Sequence, residues 1–175
     1  MTSNIDRLAR PDYSHISRRD LWSEILPGLW QGGTDDYDTV RDVRKGREDA
    51  FITPKDFDTV VTLYAWAQPV DWFVKEYRLG FWDAGTENMP VPEILEAAIM
   101  AHRDWANGKR VLIRCQAGLN RSGLIMALVL MIEGYTADEA IALIREKRNS
   151  WALCNDDFVE WLRSLDANSL VKMAA

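Results

Sequence analysis

The sequence has few of the residues on which disulfide frameworks, metal sites and membrane segments depend. Its 175 residues include only two cysteines, Cys115 and Cys154, and two histidines, His15 and His102. These numbers exclude a disulfide-rich scaffold and a cysteine-based zinc cluster. The longest apolar run, residues 124–132, has nine residues, whereas a membrane-spanning helix needs about 20. The N-terminal residues lack the apolar stretch of a signal peptide. We therefore expect a cytoplasmic protein that uses no metal or other cofactor.

Positive charge is also scarce. The 21 Lys and Arg residues are outnumbered by 27 Asp and Glu, so the net charge is -6 and the pI is about 5.0. Nucleic acids and anionic membranes normally bind a basic face, so we expect neither as a partner. The sequence also lacks the Gly-Lys-Ser/Thr of a nucleotide-binding P-loop. A chain of this length fits one domain. Residues 1–20 are polar and predict a loosely ordered N-terminal arm, and residues 21–175 predict a single domain. The mixed charges of residues 35–49 are typical of a solvated loop or surface helix.

The order of apolar patterns along the chain predicts an α/β fold. Short β-branched or apolar segments come first and indicate strands, and longer segments with helical spacing follow. The predicted strands are residues 25–30 (with a turn), 57–64, 77–82 and 111–113. The predicted helices run from Pro92 to about Gly108, from Arg121 through the apolar run, from a Thr136/Glu139 capping box to about Arg148, and onward from an Asn155 cap. Together these elements predict a sandwich with a small central sheet flanked by helices.

One nine-residue segment has a pattern typical of an anion-binding loop: Cys115-Gln-Ala-Gly-Leu-Asn-Arg-Ser-Gly123. A brief apolar strand leads directly into Cys115, and a buried helix begins at about Arg121. The first N–H groups of a helix are unpaired and its dipole adds partial positive charge, so this junction favours an anion. Gly118 allows the backbone to curl so that consecutive amides point inward as a nest. The segment therefore predicts a phosphate-binding loop.

The side chains of this loop suggest what it does with phosphate. The positive field that attracts an anion also favours the thiolate of Cys115, which makes this residue a candidate nucleophile toward phosphorus. Arg121 can bind two phosphoryl oxygens with its planar guanidinium. Ser122 can donate a hydrogen bond to the sulfur when the thiolate departs. The predicted phosphoryl-binding residues between them are Gln116, Ala117, Gly118, Leu119 and Asn120.

The loop and its surroundings resemble a known family. Cys-x5-Arg-Ser-Gly resembles the signature loop of the protein tyrosine phosphatase superfamily, and the short chain is similar to its dual-specificity branch. Residues 25–30 and 57–63 resemble early strands of those domains, and Asn155-Asp-Asp-Phe resembles the start of their final helix. The resemblance covers roughly residues 22–166. It implies a three-layer sandwich, a cysteinyl-phosphate intermediate and a phosphorylated protein or peptide as the substrate.

The same resemblance indicates a general acid. A leaving oxygen departs faster when it is protonated, and the family supplies an aspartic acid on a mobile loop before the cysteine. Asp83 lies 32 residues before Cys115, and Gly85 follows it closely. We therefore expect Asp83 to protonate the leaving group and then to activate water. Asn155 is expected to cap the last helix and to support the loop.

Three questions stay open at the level of sequence. Arg114 stands where the family has histidine, and either supplies positive charge to the thiol or points outward as an ordinary strand residue. Cys154 is either inert packing or the partner of Cys115 in a reversible disulfide. The alternative functions are a phosphoinositide phosphatase, an RNA 5′-triphosphatase and a phosphate-binding module without catalysis. The lysine-free loop argues against inositides, and the acidic pI argues against RNA.

Overall fold

The β-branched and apolar segments form a five-stranded sheet in the computed structural model, which describes residues 21–34 and 51–174. The strands are β1 (Trp22–Leu26), β2 (Leu29–Gly32), β3 (Thr59–Thr62), β4 (Lys75–Arg78) and β5 (Val111–Arg114). Their order across the sheet is β1-β2-β5-β3-β4. The β1/β2 pair is antiparallel, and the other three pairs are parallel. Strand β5 is thus the central strand, with a parallel neighbour on each side.

Helices follow the last two strands, β4 and β5, and local sequence signals fix their ends. The described helices are α1 (Val91–Ala106), α2 (Arg121–Glu133), α3 (Ala137–Lys147), α4 (Asp156–Ser164) and α5 (Ala167–Ala174), with a short 3-10 helix at Thr86–Asn88. The predicted capping box is confirmed, because Thr136 accepts from the backbone of Glu139 and the Glu139 side chain accepts from the backbone of Thr136. The Asn155 side chain caps α4 by accepting from the Phe158 N–H. Gly134, at a φ of 114°, ends α2.

The two faces of the sheet carry separate apolar clusters. Alternate strand residues such as Val61 and Ile113 face one cluster, to which all five of the described helices contribute. Helix α2 lies at its centre, and none of residues 124–132 is more than 6% exposed. The opposite face carries Val60 and Leu112, which pack with apolar residues from 52 to 74. The predicted α/β fold around a small central sheet is confirmed.

Some predicted boundaries are wrong. Residues 25–30 are not one strand but the centre of a hairpin, because Gly28 takes a φ of 80° and reverses the chain between β1 and β2. Strand β4 ends at Arg78, and the chain then leaves the sheet before Asp83. Helix α5 was not predicted, since it is short and, among residues 167–173, only Leu170 belongs to the buried core. The predicted arm and the mixed-charge stretch lie outside the described residues. No described helix is both long and apolar enough to cross a membrane.

The parallel strands bring the functional segments to one edge of the sheet. Carboxyl ends of neighbouring parallel strands meet at the same edge, and ligand sites of open α/β sheets lie there. Cys115 directly follows β5, Gly33 follows β2 and Leu63 follows β3. The loop after β4 brings Asp83 to the same edge. The fold therefore surrounds the cysteine with segments from all four parallel strands.

Candidate active site

Cys115 lies at the bottom of the site, at the junction between the central strand and the buried helix. Its side chain is nearly buried, with 2% exposed. The Cys115 N–H donates to the Gly32 carbonyl at 3.2 Å, so the strand pairing extends to the nucleophile itself. The Gly118 N–H donates to Cys115 Sγ at 3.3 Å, and the Ser122 hydroxyl oxygen is 3.4 Å from the same sulfur. Both groups can donate to a thiolate.

The backbone of the loop turns its amides toward the sulfur. The carbonyls of four successive loop residues, Gln116 to Leu119, all accept hydrogen bonds from groups outside the loop. In a planar trans peptide the next N–H points away from the carbonyl. Outward carbonyls therefore direct the N–H groups of Ala117 to Asn120 inward. This is the amide nest that the sequence predicts, and it can bind an anion in front of Cys115.

Glycines make the tight loop possible. Gly118 has a φ of 72°, a left-handed conformation that favours glycine. A Cβ atom at Gly118 would also collide with the backbone of Gly32 and Gly33. The Thr34 N–H donates to the Gln116 carbonyl at 3.0 Å, which ties the segment after β2 to the loop. The backbone of Gly32, which ends β2, and of Gly33, which follows it, thus lies directly against the loop.

Arg121 begins helix α2 and spans the mouth of the loop. Its Nη1 donates to the carbonyls of Leu63 and Phe81 at 3.1 and 3.2 Å. Its guanidinium carbon lies 5.7 Å from the centre of the Tyr64 ring. Its Nε is buried and has no hydrogen-bond partner among the described residues. Two backbone carbonyls therefore fix the guanidinium, while a buried donor stays available for a ligand oxygen.

Asp83 is held at the rim by two amide side chains. Asn120 Nδ2 donates to Asp83 Oδ2 at 3.1 Å, and Asn155 Nδ2 donates to Asp83 Oδ1 at 2.9 Å. Asn155 also donates to the Ala84 carbonyl at 3.2 Å. Asn155, which the sequence predicts to support the loop, thus lies beside Asp83. Asn120 was predicted to bind phosphate within the loop, and its side chain in addition connects the loop to Asp83.

Neither sequence-based interpretation of Arg114 is correct. Side chains alternate along β5, so Arg114 and Cys115 lie on opposite faces of the sheet. Arg114 is 4% exposed, and its Nε donates to the Thr62 hydroxyl at 2.9 Å. Its Nη2 donates to the Gln68 carbonyl at 2.7 Å and lies 3.3 Å from Glu76. Arg114 therefore belongs to a buried ion pair on the far side of the sheet rather than to the thiol or to the solvent.

Two polar residues that support the loop were not predicted from the sequence. Gln31, on β2, is fully buried and donates from Nε2 to the Gly118 carbonyl at 3.2 Å. Arg148, after α3, donates from Nε to the same carbonyl at 3.1 Å. The signal for Gln31 was a polar residue inside an otherwise apolar strand. Arg148 gave no signal, because a basic residue is common at the end of a helix.

An aromatic cleft opens beside the loop. Its volume is about 390 Å³, and Tyr64, Trp66 and Trp82 contribute to its walls together with Asp83 and Arg121. The two tryptophans are 73% and 80% exposed, which is unusual for so large an apolar side chain. Both tryptophans therefore lie beside Arg121, where they can contact a bound substrate.

Cys154 lies beside Asn120, one of the two residues that hold Asp83. It is a free thiol, and its Sγ donates to Asn120 Oδ1 at 3.4 Å. Its predicted inertness stays a prediction, as does the alternative of a disulfide with Cys115. Within residues 21–34 and 51–174, no three His, Cys, Asp or Glu side chains are grouped so that they could hold a metal ion.

Comparisons with known proteins agree with this geometry. Residues 81–168, half of the chain, match the family model "Dual specificity phosphatase, catalytic domain". Similar solved structures include Tk-PTP in its active form, with 22% identity, coverage of 83% of this chain and 98% of that chain, and a TM-score of 0.62. Human DUSP28 has 15% identity, coverage of 87% and 95%, and a TM-score of 0.65. PTPMT1 in complex with PI(5)P has 17% identity, coverage of 89% and 100%, and a TM-score of 0.61. The sequence matches no curated protein.

These structural likenesses show a shared fold. The family match includes Asp83, the loop from Cys115 to Gly123 and the helices α2, α3 and α4. The resemblance seen in the sequence is thereby confirmed. The chain belongs to the dual-specificity phosphatase catalytic-domain family, within the protein tyrosine phosphatase superfamily, and is a cysteine-based phosphatase.

Proposed function

We propose that the protein hydrolyses phosphotyrosine in protein substrates through a covalent intermediate on Cys115. The observation that carries this proposal is the position of Cys115 Sγ. It lies 3.3 Å from the Gly118 amide nitrogen and 3.4 Å from the Ser122 hydroxyl, within the amide nest. Donors at these distances stabilise a thiolate and place it in front of the site that a phosphoryl group would fill.

In the first step Cys115 Sγ attacks phosphorus, and the bond from phosphorus to the leaving oxygen breaks. The loop amides and the guanidinium of Arg121 bind the equatorial phosphoryl oxygens, where transition-state charge collects. Arg121 Nε is suited to this role because it is buried and has no partner among the described residues. Asp83, in its acid form, transfers its proton to the leaving oxygen.

In the second step a water molecule attacks the phosphorus of the cysteinyl-phosphate. The Asp83 carboxylate accepts the proton of that water, and the bond from sulfur to phosphorus breaks. The electron pair of this bond returns to Cys115 as a thiolate, and the Ser122 hydroxyl donates a hydrogen bond to it. Inorganic phosphate then leaves, and the enzyme returns to its first state with Asp83 protonated.

The cleft supports phosphotyrosine as the substrate group. Tyr64, Trp66 and Trp82 form aromatic walls, against which a phenyl ring can pack in edge-to-face or offset contacts. Arg121 is the only basic residue among the described residues of the lining. A phosphoinositide headgroup or a 5′-triphosphate carries further phosphates, and each would need its own cationic partner.

Turnover of a chromogenic substrate tests the catalytic part of this proposal. The wild type should hydrolyse p-nitrophenyl phosphate in the presence of a metal chelator, and vanadate should inhibit it. Cys115→Ser should abolish this activity, whereas Cys154→Ser, the matched change at the other cysteine, should retain it. A protein that does not turn over, yet binds phosphopeptide equally well with Cys115→Ser, would instead be a phosphate-binding module.

A panel of substrates tests the proposed preference for phosphotyrosine. We expect a phosphotyrosine peptide to react faster than PI(5)P or a 5′-triphosphorylated RNA. Trp66→Ala should raise KM for the peptide by about fivefold, the equivalent of about 1 kcal/mol from one aromatic contact. Trp72, which is 94% exposed and does not line the cleft, provides the matched control Trp72→Ala. Faster hydrolysis of PI(5)P would favour the phosphoinositide alternative, and faster release of phosphate from the RNA would favour the triphosphatase.

A further inference from the structure

Gln31 is a buried polar residue whose contacts lead directly to the catalytic loop. It lies on β2, and its side chain has no exposed surface. Its Nε2 donates to the Gly118 carbonyl at 3.2 Å and lies 3.3 Å from Ser122 Oγ. Its other amide atom, Oε1, is buried and has no hydrogen-bond partner among the described residues. One end of this amide therefore makes both contacts, and the other end makes none.

The Gly118 carbonyl fixes the orientation of this amide. A carbonyl oxygen only accepts hydrogen bonds, so it requires the N–H end of Gln31. The reverse orientation would place Oε1 against the Gly118 oxygen, and two acceptors would then face each other without a proton between them. The buried Oε1 shows that the fold tolerates an unpaired acceptor in order to keep the nitrogen at the loop.

The same contacts decide where the Ser122 proton can go. A serine in a helix commonly donates to the carbonyl four residues earlier, which for Ser122 is Gly118. That oxygen has two lone pairs, and it already accepts from Gln31 Nε2 and from Arg148 Nε at 3.1 Å. Gln31 also donates to Ser122 Oγ, which therefore acts as an acceptor toward Gln31. The single Ser122 proton is left for Cys115 Sγ, 3.4 Å away.

We propose that Gln31 is a positioning residue for the breakdown of the cysteinyl-phosphate, because it directs the Ser122 hydroxyl proton toward the departing sulfur of Cys115. This inference rests on the proposed function. No proton is transferred to sulfur in the step. The bond from sulfur to phosphorus breaks, its electron pair stays on sulfur, and the Ser122 O–H stabilises the new negative charge through a hydrogen bond that Gln31 polarises. The water proton goes to Asp83.

The replacement Gln31→Met tests the proposal, since methionine has a similar length and no N–H donor. The assay is rapid mixing with p-nitrophenyl phosphate, whose good leaving group makes breakdown the step that limits kcat. We expect breakdown, and with it kcat, to fall by about five- to tenfold, the size expected for the loss of one hydrogen bond between neutral groups. The burst rate and kcat/KM report the first step and should stay within about twofold of the wild type.

A double variant separates positioning from simple packing. Because Gln31 acts through Ser122, Gln31→Met should cause no further loss of kcat in a Ser122→Ala background. The matched control is Leu29→Met, a volume-conserving change two residues earlier on β2 at a side chain that has no hydrogen-bonding group, and it should leave the burst and kcat unchanged. Gln31→Leu gives the same readout if methionine packs badly, and circular dichroism checks the folding of each variant.

The outcomes separate this inference from the proposed function. Equal losses in kcat and kcat/KM, or additive losses in the double variant, would overturn the role of Gln31 while leaving the cysteine mechanism intact. A wild-type protein without Cys115-dependent turnover would overturn the proposed function, and this inference with it. A selective and non-additive loss of breakdown would support both.

Discussion

The replacement Arg121→Lys should reveal how much of the rate depends on a guanidinium that is fixed by backbone carbonyls. Arg121 Nη1 is occupied by the carbonyls of Leu63 and Phe81, at 3.1 and 3.2 Å, so Nε and Nη2 remain for the phosphoryl oxygens. A lysine ammonium cannot bind both loop carbonyls and also present two coplanar donors. One to two charge-assisted hydrogen bonds, each about 1.5–3 kcal/mol, are then lost in the transition state. We expect kcat/KM to fall by about 10²-fold or more.

The assay is kcat/KM for p-nitrophenyl phosphate, together with the inhibition constant of vanadate, which should rise because the same donors bind it. Arg145 offers a matched control, because its guanidinium also donates to two backbone carbonyls, those of Ala152 and Leu153 at 3.1 and 2.9 Å, but outside the cleft. Arg145→Lys should lower thermal stability and leave kcat/KM nearly unchanged. A loss of less than about tenfold for Arg121→Lys, or an equal loss for Arg145→Lys, would show that the Arg121 guanidinium does not bind the phosphoryl group in the transition state.

Substitutions at three further positions test the general acid, the residue that supports it and the stability of the fold. Asp83→Asn should lower kcat/KM by about 10²-fold for phenyl phosphate and much less for p-nitrophenyl phosphate; an equal loss on both would argue against Asp83 as the acid. Asn155→Ser keeps the helix cap but removes the donor to Asp83, so it should slow phenyl phosphate by about fivefold, whereas Asn155→Ala should in addition lower Tm by about 2–4 °C; identical Tm values for the two would contradict the capping role. Hydrogen bonds from Arg110 hold the pKa of Asp58 below its ordinary value of 3.8. Asp58→Asn should therefore reduce stability to urea at pH 7, and the difference should shrink as the pH falls below 3.8, because the protonated carboxyl loses its ion pair; a difference independent of pH would contradict it.

The catalytic loop could be predicted because its signal is local. The nucleophile, the glycine of the tight turn and the arginine lie within seven consecutive residues, Cys115 to Arg121. Strand, loop and helix follow one another without a break, so spacing alone places the amides around the sulfur. The cap of α4 by Asn155 and the capping box of α3 were predictable for the same reason, since each joins residues three positions apart.

Contacts between distant segments could not be predicted in this way. Gln31 lies 87 residues from Gly118 in the sequence, and nothing near it indicates that β2 runs beside β5. Asp83 was predicted through the resemblance to the family, but its contacts with Asn120 and Asn155 join segments 37 and 72 residues apart. The error at Arg114 has the same origin. The direction of the Arg114 side chain depends on the pleat of β5. It also depends on Glu76, which lies on β4 and is separated from β5 by β3.

The most direct test of the central claim is the chemical identity of the intermediate. The enzyme is mixed with p-nitrophenyl phosphate, quenched during turnover, digested and examined by mass spectrometry. We expect phosphate on the peptide that contains Cys115, more of it in the Gln31→Met variant, and none on that peptide in Cys115→Ser. Turnover that leaves Cys115 unmodified at every quench time, or a phosphate on any other residue, would contradict a cysteinyl-phosphate mechanism.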